Sequence, residues 1–522
     1  MLLELAILLL LGLLLVTVVL VIYKAIIYKL TVLQFKKSSR GLPMFQDFKN
    51  NGNTIIAVSL SENNCQLLRK CHEQLGKTIG FTKGDKFGVS TVDLDLIKTF
   101  IFDEPDAHLD RSKPGLPMVE IEESIMLAPK DEWRVLRKAI APALTSNKFK
   151  SQNVTDEMQA AKSKLIDYIE KKLDTESDDY QFDVNDFVHK YSLDLVFRCF
   201  YKQDQLINFD DPKEHWTNHV DENFQCLQQS PFVKLSIVFP IFRGLIDWLV
   251  WHFTPQGVFR KEITGFIKVQ TKLALEARKQ LKEIEAKARE TGDKVDINDF
   301  VLKGGIRFKR NMVDYIIDHF LDGKMTKEQY FNNSCFLMGA ADKTATDALT
   351  HTIYLLSIHP DVQEKLRTSI RANGEDSEYL EWVLKESLRL LPPAPIGCSR
   401  TITRDIPIEG GYIVPAGTFV HTNAFIIHRL KKYWGDDADE FRPERWQDTS
   451  NHHPCQYIPF GAGLRGCPGK AFAMHKMKML MSTLLTRYKF TGQPKDDAYV
   501  FNAPLWIFVI PNTHTMVKIS RL

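Results

Sequence analysis

Between Met325 and Pro360 the chain holds no proline, and Thr326 and Gln329 are spaced as a capping box. A single helix of about 32 residues and ~48 Å is therefore predicted, ending at the residue before Pro360. An ordinary globular helix has about 11 residues, so one this long must cross a whole domain and organise it. Ala340, Ala341, Thr344, Ala345 and Ala348 fall on one of its faces. Such a stripe either receives another helix closely or forms a flat wall for a broad ligand, with Thr344 its one polar tooth. A second long helix is predicted from Gly257 to Glu290, with a charged, solvated second half. Extended pieces near residues 85 and 412 are short and punctuated by glycine, so the class is mainly α with a minor β part.

A formal charge of +3 over 522 residues, with 25% charged and 44% hydrophobic, describes an ordinary globular protein and gives no footprint for nucleic acid. The 8 cysteines form no CxxC pair and follow no regular spacing. They predict free thiols in a reducing compartment.

Leu5 to Tyr23 is an uncharged run of about 19 residues, or ~28 Å of helix, nearly enough to span a bilayer core. It passes through Val and Ile directly into Lys24 without a small-residue cleavage site, which favours an uncleaved anchor over a signal peptide. Lys24, Lys29, Lys36, Lys37 and Arg40 follow the run, placing the remainder in the cytosol. The expected division is an anchor at 1–24, a linker at 25–54 and one large domain at 55–522. Residues 231–255 are apolar and aromatic but broken by charge, Pro240 and Gly244, and are expected to dip into a membrane surface.

The stretch Phe460 to Lys470 reads FGAGLRGCPGK. Pro468 and the helix formers after it put Cys467 at a helix N-terminus, where free N–H groups lower a thiol's pKa and favour a soft-metal ligand. The glycines leave room for something broad, and Arg465 could bind an anion at its edge. Zinc on His452, His453, Cys455 and Cys467 matches no standard spacing.

This stretch resembles the haem-ligating signature of the cytochrome P-450 family, F-x-x-G-x-R-x-C-x-G, at every fixed position. The resemblance extends to Glu386 and Arg389 in an E-x-x-R pair, Arg445 in FRPERW, and Trp133 and Arg137 in a W-x-x-x-R helix, in the family's order. It looks most like the microsomal, membrane-anchored, drug-metabolising members of animals. It implies haem b with Cys467 as the axial ligand of its iron, and Phe460 packed near the sulfur. Arg465, Trp133, Arg137 and Arg400 are implied as propionate contacts, Ala340 as a wall of the cofactor site, and Glu386, Arg389 and Arg445 as a structural triad. It further implies a monooxygenase of the endoplasmic reticulum membrane, with a single N-terminal span and its catalytic domain facing the cytosol. Electrons would come from NADPH through NADPH-cytochrome P-450 reductase, with cytochrome b5 as a further candidate donor, and the substrate would be an apolar small molecule. Lys138, Lys470, Lys476 and Lys478 are expected to offer that reductase a basic face, and Ile396, Leu505 and Phe232 to line the substrate pocket.

One position departs from the family pattern. Aligned on HPDVQ, the family's A-G-x-acid-Thr-Thr falls on Ala340 to Ala345, with Lys343 in place of the acid and Thr344 retained. Thr344 and Asp342 are the candidate catalytic residues, Asp342 reaching the site only if the helix is locally distorted. A carboxylate restored at position 343 is expected to improve coupling. The departure also motivates two alternatives, a reductase-independent hydroperoxide isomerase or dehydratase and a non-catalytic haem sensor.

Overall fold

The computed structural model describes residues 2–45, 64–83, 86–111, 119–145, 152–177, 180–229, 242–291, 299–301, 307–309, 313–395, 398–492 and 515–522. The helices that position the site are α1 (Leu2–Ser38), α2 (Lys130–Ile140), α3 (Gln152–Thr175), α4 (Val184–Tyr201), α5 (His215–Gln229), α6 (Arg243–Phe253), α7 (Pro255–Thr291), α8 (Lys327–Ile358), α9 (Pro360–Asn373), α10 (Glu378–Leu390) and α11 (Lys470–Arg487). The minor β part has a four-stranded sheet ordered β1 (Thr78–Lys83), β2 (Lys86–Thr91), β5 (Phe419–Thr422), β4 (Cys398–Thr401). A three-stranded sheet is ordered β6 (Tyr488–Thr491), β7 (Met516–Arg521), β3 (Gln181–Asp183). The chain is thus mainly helical, as its sequence predicts. In β2, a Cβ on Gly88 would lie 2.3 Å from the Phe419 ring and 2.4 Å from that of Phe81, so only glycine lets β1, β2 and β5 close.

Helix α8 is the axis of the domain. Its capping box is complete, with Gln329 N donating to Thr326 Oγ1 and Thr326 N to Gln329 Oε1, both at 3.1 Å. From Ala345 to Ser357 every side chain is buried, because α4 lies along one side and α10 along another. Tyr201 of α4 donates to Ser334 O at 2.9 Å, and Thr352 Oγ1 donates to Ser387 Oγ of α10 at 2.9 Å. These bonds satisfy polar groups that would otherwise be buried without partners.

The triad of Glu386, Arg389 and Arg445 forms a buried knot. Glu386 accepts from Arg389 Nε (2.9 Å) and Nη2 (2.8 Å), Arg445 Nε (2.8 Å), Trp446 Nε1 (3.0 Å) and Arg442 N (3.0 Å). Arg389 also donates to the carbonyls of His428 and Glu440 at 2.6 and 3.0 Å. Glu386 and Arg389 are wholly buried. The charges are tolerated there because nearly every lone pair and N–H is used.

One boundary expectation changes. Phe35, Leu42, Met44 and Phe45 are buried in the core and Phe35 stacks on Phe87, so the folded part begins well before residue 55. Residues 46–54 of the expected linker, and residues 231–241 of the expected membrane-surface segment, lie outside the described residues. The apolar run falls within α1, but most of its side chains also lie outside the described residues. Among the described residues, no helix is long and apolar enough to cross a membrane.

Candidate functional site

A cavity of about 270 Å³ lies between α8 and the turn that precedes α11. The chain reaches it from Phe460 through Gly461 and Gly463, whose φ angles of 66° and 64° belong to the left-handed region that favours glycine. A Cβ on Gly463 would lie 2.7 Å from the carbonyl oxygen of Ile101. Cys467 N donates to Phe460 O at 2.8 Å, closing the loop and presenting the sulfur three residues before Lys470, where α11 starts. Phe460, Arg465 and Cys467 all line the cavity, as do Trp133 and Arg137 of α2.

The surface that Cys467 exposes is the cavity wall. Surrounding protein still pushes its thiol pKa up, against the lowering effect of the Gly469 and Lys470 N–H groups and the Arg137 and Arg111 cations. The expected fall in pKa is therefore corrected: the N–H groups act in the predicted direction, and burial outweighs them.

On the opposite wall, Ala340, Ala341, Thr344, Ala345 and Ala348 all face the cavity. The stripe is a wall for a flat ligand and not a seat for another helix. Thr344 Oγ1 donates back to Ala340 O at 2.9 Å, satisfying its hydroxyl on the helix itself.

Asp342 does not join this wall. It lies about 160° around the helix from Thr344, and α8 runs unbroken through the position. Its side chain is wholly buried against α4, where Oδ2 is 2.8 Å from His189 Nε2 and Oδ1 accepts from Thr346 at 3.3 Å. Asp342 is thus removed from the candidate catalytic groups. Lys343 is turned away as well, with Nζ 3.1 Å from both Asp221 of α5 and Asp347. His189 Nδ1 completes the cluster at 3.3 Å from Asp221. Burial alone would discharge His189 and Lys343. Against it, Asp342 and Asp221 hold the His189 pKa up at about 10, and Asp347 and Asp221 raise that of Lys343. A carboxylate at position 343 would face Asp221 and Asp347, so the expected gain in coupling is withdrawn.

The basic groups also sort differently. Arg465 Nη2 donates to Ala128 O at 2.6 Å and its guanidinium stacks 5.0 Å over Trp133, while its Nε and Nη1 are buried without partners. Burial first, then the nearby Arg400 cation, lowers its pKa to about 10. Arg137 Nη1 donates to Gly466 O at 2.9 Å, bracing the cysteine turn. Arg400, buried on β4, does not line the cavity; it donates to Ser399 O at 2.8 Å and contributes charge from behind.

Arg111 is a cavity residue that no sequence motif signalled. It reaches the cavity because its Nη1 donates to Met126 O (2.9 Å) and its Nη2 to Arg465 O (3.4 Å). Lys476 is buried and lines the cavity, with Nζ donating to Ser192 Oγ at 2.6 Å, so it belongs to no docking face. Lys478 is tied to Glu381 at 2.8 Å, whereas Lys138 and Lys470 are exposed. Ile396, Leu505 and Phe232 lie outside the described residues.

These residues fit a haem. A broad, largely apolar slot has a thiol on one wall, small side chains on the other, and at its edge a guanidinium with two buried, unpartnered N–H groups suited to a carboxylate.

Comparison with known proteins agrees with this geometry. A family profile for Cytochrome P450 matches residues 43–519. Cytochrome P450 3A9 of Rattus norvegicus is 26% identical over 438 residues, covering 80% of this chain and 80% of that one. Cytochrome P450 3A13 of Mus musculus is 26% identical over 457 residues, covering 84% and 83%. Putative cytochrome P450 CYP13A1 of Caenorhabditis elegans is 27% identical over 478 residues, covering 85% and 88%. The chain belongs to the cytochrome P450 family and is a haem-dependent monooxygenase, an oxidoreductase.

Proposed function

We propose a membrane-anchored monooxygenase that inserts one atom of O2 into an apolar small molecule, reducing the other to water with two electrons from NADPH delivered by NADPH-cytochrome P-450 reductase, and with cytochrome b5 as a further donor. The balance is R–H + O2 + NADPH + H⁺ → R–OH + H2O + NADP⁺. The observation that carries it is the pairing of Cys467 with an Arg465 edge across a slot floored by Ala340 and Thr344. Haem b held by Cys467, Arg465, Trp133 and Arg137 would supply thiolate-ligated iron for O–O cleavage. Phe460 excludes water from the sulfur, and the apolar walls favour an apolar substrate. Thr344 Oγ1 offers the α8 wall's hydroxyl for holding a proton near the reacting oxygen. Exposed Lys138 and Lys470 remain as candidate reductase contacts.

The endoplasmic reticulum membrane, with one N-terminal span and a cytosolic domain, completes this proposal. Supporting it are exposed Val18, Val19, Ile22, Tyr23, Ile26, Leu30 and Leu33 along α1, and exposed Leu245, Trp248 and Phe253 on α6.

No carboxylate is found among the described residues lining the cavity, which favours a second reading, turnover of a preformed hydroperoxide without a reductase. One experiment separates them. With reductase present, NADPH consumption is expected to track product, and Cys467→Ala to abolish both this and the red-shifted carbon monoxide band of the ferrous protein. Hydroperoxide turnover with no reductase-dependent product selects the isomerase. An unchanged band in the variant removes Cys467 as ligand.

A further inference from the structure

On α5, His215 and His219 stand four residues apart, so both rings leave the same face of the helix. Glu262 of α7 meets them there. Its Oε2 is 3.0 Å from His215 Nε2 and 4.0 Å from His219 Nε2, and the two imidazole centroids are 4.1 Å apart. One ligand atom from each residue lies within 4.8 Å of the others, the one such cluster among the described residues. Two imidazoles this close repel if both are protonated, and the single bond from His215 leaves His219 outside hydrogen-bonding range of the carboxylate. His219 Nδ1 is buried and has no hydrogen-bond partner, so no second bond fixes this ring against rotation.

We propose that His215, His219 and Glu262 form a binding site for a divalent cation of the zinc class, clipping α5 to α7. Tetrahedral zinc, with bonds of about 2.0–2.2 Å, sets its ligand atoms about 3.3–3.6 Å apart. The two separations to Glu262 bracket that range, so small side-chain rotations complete the site. Two imidazoles and one carboxylate suit zinc, copper or nickel and disfavour calcium and magnesium, which take oxygen ligands. The side chains are 54%, 25% and 36% exposed, which gives an ion a path in and leaves a position for water. The clip would act on a helix that matters to the cavity. Two residues beyond His219, Asp221 fastens α5 to His189 and to Lys343 on α8.

The test is calorimetric titration of Zn²⁺ into the haem-loaded full chain after chelator treatment. One saturable site is expected, unaffected by millimolar Mg²⁺ or Ca²⁺ and accompanied by a rise in melting temperature. His219→Ala and Glu262→Gln should each weaken it at least about tenfold while leaving the carbon monoxide band unchanged. Absence of saturable binding up to about 100 μM Zn²⁺, or full affinity retained by either variant, overturns the assignment.

Discussion

Arg465 shows how a single side chain can be placed by the fold and left partly unsatisfied for a ligand. Only Nη2 is bonded, to Ala128 O; Nε and Nη1 are buried without partners, and Arg400 adds a second positive charge nearby. Carboxylate oxygens at that edge would accept from these N–H groups and offset the burial that lowers the guanidinium pKa. Replacing Arg465 with Leu should therefore weaken haem retention by roughly 1.5–3 kcal/mol, about 10- to 150-fold in affinity, with the carbon monoxide band still at its red-shifted position. Haem transfer to an apo-globin acceptor measures this, and unchanged retention would count against Arg465 as a propionate contact. Its motif position was legible in the sequence through the resemblance of Phe460–Gly469 to the F-x-x-G-x-R-x-C-x-G signature. Arg111 was not legible, because hydrogen bonds to the carbonyls of Met126 and Arg465, the latter 354 residues away, hold it there.

At the scale of elements, α8 has two faces of opposite chemistry. Its small residues wall the cavity, and its back carries Asp342, Lys343 and Asp347 into a charge cluster with His189 of α4 and Asp221 of α5. The cluster thus joins three helices, with Lys343 linking α8 to α5, and Lys343 does not line the cavity. Lys343→Met should leave Asp347 buried without its cation and destabilise the fold by roughly 3–5 kcal/mol, and Lys343→Glu by at least as much. Denaturant unfolding reads this, and a loss below about 1 kcal/mol would show that the cluster is not what holds α5 to α8. The α8 boundaries and its small-residue face were readable from periodicity and capping. The orientation of positions 342 and 343 depended on which helices pack behind α8, information that lies more than a hundred residues away.

For the whole molecule, stability should peak near pH 6.5–7. Burial lowers the pKa values of His72 and His351 to about 4, and burial with the Arg389 cation lowers that of His428 to about 3. All three bind protons in the unfolded chain before they do in the folded one, so stability falls as pH drops below about 6.5. Asp347, raised to about 6 by burial, offsets roughly one of the three. His189 has the opposite sign. Its folded pKa near 10 lies above the ordinary 6.5, so its contribution is complete below 6.5 and is lost as pH rises toward 10. Between about pH 6.5 and 8 this should cost roughly 1–2 kcal/mol; above 8, Lys476, lowered to about 8 by burial, works against the loss. Unfolding followed across pH tests the scheme, and His189→Gln should flatten the 6.5–8 limb. A limb unchanged in that variant would refute the assignment to His189. Deleting residues 2–24 should release the chain from membranes with the carbon monoxide band intact; full membrane retention would shift the anchoring role to other apolar surfaces such as α6.

The sequence by itself determined what local chemistry determines: the long capped helix, the glycines that let Cys467 face a cavity, the family, and which charged residues deserve suspicion. Glycine dihedrals, capping bonds and 3.6-residue periodicity act within one turn and leave their mark in neighbouring letters. Tertiary structure alone decided where the charges went. It sent Asp342 and Lys343 to the back of α8, buried Lys476 in the cavity wall instead of on a docking surface, and brought Arg111 to the site. A buried charge persists only beside partners, and those partners come from helices and loops whose proximity is fixed by packing of the whole domain.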